Sequence, residues 1–342
     1  MDDLTYSRGG GRWREVQRYV PGPHRVGTDD ARTPREQWWD WRGHRVHLDR
    51  HGPAEAPARL LVLHGGGGNG RVVGSAAVAA ARAGYAAVCP DLPGYGLTRV
   101  PDRAGVRYGD WLDCARDLLR SEAERGPVVV AGFSLGGLLA YDAVATVGAA
   151  GLVASALLDP RDPVVRRCVA RRPLGGLAAA ALPRLRNLDR LRVPVRWVAP
   201  VERIATDARL ARLVTSDPTA GGAAMPLGWF RTFLGSAPGV EPEDFDRCPV
   251  VLAHPAADRW TPVEASLRFL HRIPARHRRV VLLEGAGHLP VERPGIDQLA
   301  DVVVDLLDRA AGRRAAGSPS PATGPAHGRA NELRGRAGRP PG

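Results

Sequence analysis

The sequence predicts an α/β protein built on a mostly parallel, doubly wound sheet. A helical cap is expected as an insertion after the strand that follows the Ser134 helix. Three observations carry that prediction. Short aliphatic runs (Arg59–His64, Tyr85–Cys89, Val128–Ala131, Pro249–Ala253, Arg279–Leu283) alternate with helical stretches at the spacing of βαβ units. The runs are continuously apolar, as strands covered by helices on both faces must be. The rhythm breaks at Asp159 and resumes at Pro249, leaving room for an insertion.

Taken in order, residues 1–35 are rich in Gly, Arg and Pro without periodicity and are expected to form a loosely ordered lead-in. Gln37–Trp41 and His44–Asp49 flank Arg42-Gly43, a hairpin pattern whose tryptophans suit packing at a sheet edge. Pro53–Pro57 reads as a turn. The strand ending at His64 runs into Gly65–Gly70, and a helix is expected over about residues 71–82. Tyr85–Cys89 runs into Asp91-Leu92-Pro93-Gly94-Tyr95-Gly96, and a helix from Gly109-Asp110-Trp111 reaches about Glu124, with Asp110 or the preceding turn as cap. Gly151–Leu158 reads as a further strand. Residues 161–246 hold an Ala/Leu helix (Leu174–Leu182), an apolar piece (Val193–Val198) and Pro226–Phe230, and are read as the cap. The core comprises residues 36–160 and 247–311, closing with helices over Val263–His271 and Gly295–Ala311. Residues 312–342 read as a disordered basic tail.

A chain of 342 residues can bury a sizeable core. The net charge of +12 says little about partners, because the chain has no lysine and the tail alone carries six arginines against Glu332. Elsewhere arginines are read as alternating with acids, and no aromatic-plus-basic module for nucleic acid is present. Cys89, Cys114, Cys168 and Cys248 form no C-x-x-C pair, so neither a disulfide framework nor a zinc site is expected. Met1–Val20 has no apolar core of a targeting segment and no run reaches transmembrane length, so a cytoplasmic protein without membrane insertion is expected.

The chemistry centres on Gly132-Phe133-Ser134-Leu135-Gly136, between a Val run and a Leu/Ala-rich helix. A strand turns into a helix over so few residues only with a strained, positive-φ corner and glycines on both sides. That strain lifts the Ser134 hydroxyl clear of the sheet and leaves the Leu135 N–H at a helix N-terminus, facing a developing oxyanion. A serine hydroxyl needs a base to take its proton and an acid to orient the base. Two later loops at strand ends offer them: His254–Pro262 with Asp258, and Glu284–Pro290 with His288.

Together these motifs resemble the α/β-hydrolase fold superfamily over about residues 38–310. The strand ending His64-Gly65-Gly66, the Asp91–Gly96 turn, the serine elbow and the Asp258 and Gly287-His288 loops appear in the family's order. The resemblance is closest to capped, lysophospholipase- or monoacylglycerol lipase-like members. It implies Ser134 as nucleophile, His288 as base then acid, Asp258 as its orienter and the Gly66 N–H as oxyanion partner to Leu135. Asp159, which also ends a strand, is the rival acid. His64 and Asp91 are read as structural. Gly65–Gly70 lacks the Lys-Ser/Thr of a phosphate loop, so no nucleotide or other cofactor is expected. Serine at the elbow sets the chain apart from dehalogenase- and epoxide hydrolase-like members (Asp) and from dienelactone hydrolase-like members (Cys).

The implied activity is hydrolysis of a small-molecule carboxylic ester without a metal. Met225, Trp229 and Phe230 in the cap suggest an apolar acyl or alcohol group, although all three could equally pack cap on core. Acyl transfer or C–C hydrolysis on the same residues, and a non-catalytic ligand-binding protein of this fold, are the alternatives.

Overall fold

The computed structural model describes residues 4–27, 33–169, 171 and 186–313. Eight strands form one sheet: β1 (Arg35–Trp41), β2 (His44–His51), β3 (Arg59–Leu63), β4 (Ala86–Pro90), β5 (Val128–Gly132), β6 (Gly151–Ala154), β9 (Val250–Pro255) and β10 (Arg278–Leu283). Their order is β1-β2-β4-β3-β5-β6-β9-β10. From β4 to β10 all pairings are parallel, while β1 and β2 add an antiparallel edge. Arg42 and Gly43 both take positive φ, the two-residue turn whose twist matches its strands.

The central strands are covered on both faces, as β3 shows, whereas the edge strand β10 leaves Val280 and Leu282 exposed because no described helix lies over that side of it. Leu61 and Leu63 enter one apolar core while Leu60 and Val62 enter the other, as the two-residue period of a strand requires. The first core takes helix α3 (Tyr108–Ala123), which buries Trp111, Cys114, Ala115, Leu118 and Leu119 along one stripe. It also takes α4 (Leu135–Val147). The second takes α2 (Ser75–Arg82) and α10 (Gly295–Ala310), whose Leu299, Val302, Val303, Leu306 and Leu307 repeat at helical spacing. The Asp110 carboxylate accepts the Arg107 N–H at 2.7 Å and fixes the start of α3.

The strand expected over Gly151–Leu158 stops at Ala154, where the Ser155 N–H closes the ladder by donating to the Gly132 carbonyl at 2.9 Å. From there the chain leaves the sheet. It forms α5 (Pro163–Val169), a two-stranded ribbon of β7 (Arg192–Pro194) and β8 (Ala224–Pro226), and α6 (Val195–Val198), α7 (Ala208–Ser216) and α8 (Leu227–Leu234). It rejoins the sheet at β9, and α9 (Val263–Leu270) crosses to β10. The helix expected over Leu174–Leu182 and most of the tail lie outside the described residues. None of the described helices is long and apolar enough to cross a membrane.

The lead-in corrects the compositional reading. Tyr6, Trp13, Val16, Val20 and Val26 are buried, and a short helix, α1 (Trp13–Gln17), carries two of them. Tyr6 and Trp13 pack their rings against the Arg71 guanidinium, at 4.8 and 4.4 Å from the ring centroids. Five well-spaced apolar side chains, two of them packed on a buried cation, order this segment despite its Gly/Arg/Pro background.

Candidate active site

The site forms at the C-terminal ends of β3, β5, β9 and β10. At the end of β5, Ser134 has φ 55° and ψ −125°, the strained corner that the glycine pattern predicts. A Cβ at Gly132 would run into the Gly136 carbonyl oxygen, and one at Gly136 into that of Leu63, so neither position admits a side chain. Ser155 supports the corner from β6: its Oγ accepts the Ser134 N–H at 2.8 Å.

Three side chains meet there. Ser134 Oγ lies 2.8 Å from His288 Nε2, and His288 Nδ1 lies 2.8 Å from Asp258 Oδ2. With Nδ1–H donating to the carboxylate, Nε2 is left to accept the serine proton. Asp258 Oδ1 accepts the N–H groups of Trp260 and Thr261 at 2.7 and 3.0 Å, and Oδ2 accepts the Thr261 hydroxyl at 2.6 Å. Burial alone would raise the Asp258 pKa; the bonds from His288 and Thr261 outweigh it and hold the carboxyl down to about 2. The Trp260 ring lies over His288 at 4.6 Å between centroids and limits how the imidazole can swing.

Asp159 sits elsewhere. Its carboxylate is taken by Arg161, whose Nη2 is 2.8 Å from Oδ2, and it makes no bond to His288.

The loop after β3 lies against the elbow. The Gly65 Cα hydrogens face Ser134 Cβ and the Leu135 nitrogen, where a Cβ would sit 2.9 and 3.1 Å away. Leu135 opens α4, so its N–H has no intrahelical acceptor. His64 holds this loop from behind: Nδ1–H donates to the Gly65 carbonyl at 2.8 Å, and Nε2 accepts the Leu92 N–H at 2.9 Å. Burial lowers the His64 pKa, in keeping with a neutral, structural imidazole.

A cavity of about 60 Å³ opens beside Ser134, bounded by Gly66, Leu135, Leu158, Val195, Trp229 and Phe230 among others. Trp229 and Phe230 stand on its wall, and Trp229 also packs on Trp111 at 4.8 Å between ring centroids. Met225 is not on that wall. It is fully buried, and its thioether fills the hollow that Gly94, at φ 95°, leaves open.

Ser155 and Thr261 have direct roles at this site that the motifs do not announce. The signal for Thr261 is its place three residues after an Asp, where hydroxyl and N–H can both reach the carboxylate. Among the described residues, Glu36, His47 and Asp49 bring possible metal-ligand atoms within 4.8 Å of one another. That place is already occupied by a cation, since Arg71 bonds Asp49 at 2.5 and 2.7 Å and lies 3.3 Å from Glu36.

A family model described as the alpha/beta hydrolase family matches residues 60–302. The chain belongs to the α/β-hydrolase family. No curated protein matches it by sequence. Among solved structures, this α/β-hydrolase is similar to a monoglyceride lipase of Saccharomyces cerevisiae, a soluble variant in complex with a substrate analogue. The TM-score is 0.63 at 18% identity, covering 85% of this chain and 99% of that one. It is also similar to a monoacylglycerol lipase of Paleococcus ferrophilus (TM-score 0.59, 18% identity, 77% and 98% covered). A third similar structure is the esterase RhEst1 of Rhodococcus sp. (TM-score 0.57, 19% identity, 80% and 99% covered). At these identities the likeness is one of fold.

Proposed function

We propose that this α/β-hydrolase cleaves carboxylic esters through an acyl-enzyme on Ser134, with residues 161–246 as the cap over the site. The observation that carries the reading is the unbroken hydrogen-bond chain from Ser134 Oγ through His288 to Asp258. Ser134 Oγ attacks the ester carbonyl carbon as its proton passes to His288 Nε2. The carbonyl oxygen becomes an oxyanion facing the Leu135 and Gly66 N–H groups, an arrangement in which one donor is typically worth about 10²–10³ in rate. Asp258 stabilises the imidazolium. As the tetrahedral intermediate collapses, the bond to the alcohol oxygen breaks and His288 returns the proton to that oxygen. Water then enters, His288 takes its proton, and the second collapse frees the acid and restores the Ser134 hydroxyl. The apolar walls of Leu158, Val195, Trp229 and Phe230 suit a hydrocarbon acyl group, which agrees with the lipase and esterase names of the similar structures.

A fluorophosphonate probe tests this directly. Labelling at Ser134, lost in Ser134→Ala and His288→Ala, together with turnover of p-nitrophenyl esters, is the expected result. A protein that binds small apolar ligands but neither labels nor turns over any ester overturns the reading in favour of a ligand-binding protein.

A further inference from the structure

Between residues 163 and 213 twelve arginines stand against three acids, so the even alternation expected outside the tail fails there. Arg167, Arg171 and Arg203 of this stretch meet Arg259 of the β9–α9 loop around an open groove of about 660 Å³, walled also by Cys168, Trp260 and Pro262. Two carboxylates belong to the groove and both are committed: Glu202 to Arg171, and Asp258 to His288. Arg203 Nη1 donates to the Arg259 carbonyl at 3.5 Å, and neither side chain meets a carboxylate among the described residues. The sequence from 170 to 186 contains no acid that could neutralise them.

The groove shares a wall with the catalytic cavity. Trp260 lines both, its indole N–H donating to the Cys168 carbonyl at 3.2 Å while its ring covers His288. In the ester reaction proposed above, the leaving oxygen takes its proton from His288 Nε2. The leaving group therefore lies on the His288 side of Ser134, the side on which Trp260 stacks.

We infer that the groove is a subsite for an oxyanion, carboxylate or phosphate, carried on the leaving-group end of the substrate. Guanidinium groups suit such an anion because their paired N–H donors match its oxygens. Each exposed arginine contributes little alone, but several around one groove raise the local concentration of an anionic substrate, and salt weakens the effect. The inference rests on the esterase reading.

The test compares butyrate esters of para-hydroxyphenylacetate, of its neutral primary amide and of a phosphate-bearing phenol. The substitutions Arg203→Gln and Arg259→Gln, combined, lie on exposed side chains outside the catalytic relay. In the native protein at low salt, kcat/KM for at least one anionic ester should exceed that of the amide ester by about tenfold. The preferred ester tells carboxylate from phosphate. The preference should fall to about twofold or less in the double variant and in high salt, while the amide ester changes little. Equal kcat/KM for all three esters, or a preference that survives the double variant, overturns the subsite. If no ester turns over, the esterase reading fails, and calorimetry on Ser134→Ala still decides the groove. Tighter binding of an anionic ester that is lost with the two arginines supports it, and equal binding refutes it.

Discussion

Replacing Asp258 by asparagine probes the relay where its geometry is most restrictive. The carboxylate accepts four donors: the Trp260 and Thr261 N–H groups at Oδ1, and the Thr261 hydroxyl and His288 Nδ1–H at Oδ2. An amide has a single acceptor oxygen. Backbone N–H groups cannot reverse, so the amide oxygen must take the Oδ1 place and the NH₂ the Oδ2 place. The Thr261 hydroxyl can rotate to accept from it. His288 can accept only by moving its proton from Nδ1 to Nε2, and Nε2–H can no longer receive the proton of Ser134. The wrong tautomer in such a relay costs about 10⁴ in kcat, or roughly 5 kcal/mol at about 1.36 kcal/mol per tenfold. The assay is kcat for p-nitrophenyl butyrate at neutral pH, with near-ultraviolet circular dichroism to confirm the fold. A folded Asp258→Asn protein with kcat within about tenfold of native would show that the carboxylate does not set the tautomer.

Asp159→Asn should leave kcat within a few-fold of native, because Asp159 bonds Arg161 and not the relay; a collapse of turnover with the fold intact would move the orienting role to that position. Ser155→Ala removes the acceptor of the Ser134 N–H, and stability should fall by about 1 kcal/mol in a urea titration as a partly buried donor goes unpaired. Its kcat should fall more than its KM changes, and an unchanged midpoint and kcat would show that the corner holds without it. Asp142 tests pH dependence: burial, against the Gly239 N–H and Arg116, raises its carboxyl from 3.8 to about 6. A raised acid binds its proton more tightly in the folded state. Its destabilising effect is therefore absent below about pH 4 and complete above about pH 6, on the order of 3 kcal/mol. Asp142→Asn should raise Tm at neutral pH and flatten its fall between those values; a lower Tm at neutral pH would contradict this.

Much of the molecule could be read from residue order alone. Ser134, Asp258 and His288 each follow an apolar run, so placing the strands also places all three at the C-terminal ends of the strands. Ser155 could not be found this way, because its role depends on the register of β6 against β5 and on the strand ending at Ala154. For Met225 the sequence leaves open whether it faces a substrate or packs cap on core, because an apolar residue two positions before a helix can face either way, and the hollow at Gly94 decides for packing. The lead-in is more ordered than its composition implies because averages over Gly, Arg and Pro hide five apolar side chains set several residues apart. The charge of the insertion escapes a compositional reading for a related reason, since a whole-chain balance conceals a local excess of arginine.

The packing of Tyr6 and Trp13 on Arg71 matters to anyone preparing this protein. Tyr6 also donates its hydroxyl to Asp91 at 2.9 Å, and Asp91 accepts the Gly70 N–H at 2.8 Å from the far end of the loop that carries Gly66. Trimming the first 27 residues as a dispensable leader would strip a buried guanidinium of both aromatic faces and open its carboxylates to water. Asp91, the distal anchor of the loop facing Ser134, would lose the Tyr6 hydroxyl as a donor at the same stroke. An expression vector that respects the molecule therefore begins before Leu4, and an N-terminal affinity tag belongs upstream of that point on a linker long enough to leave Tyr6 seated.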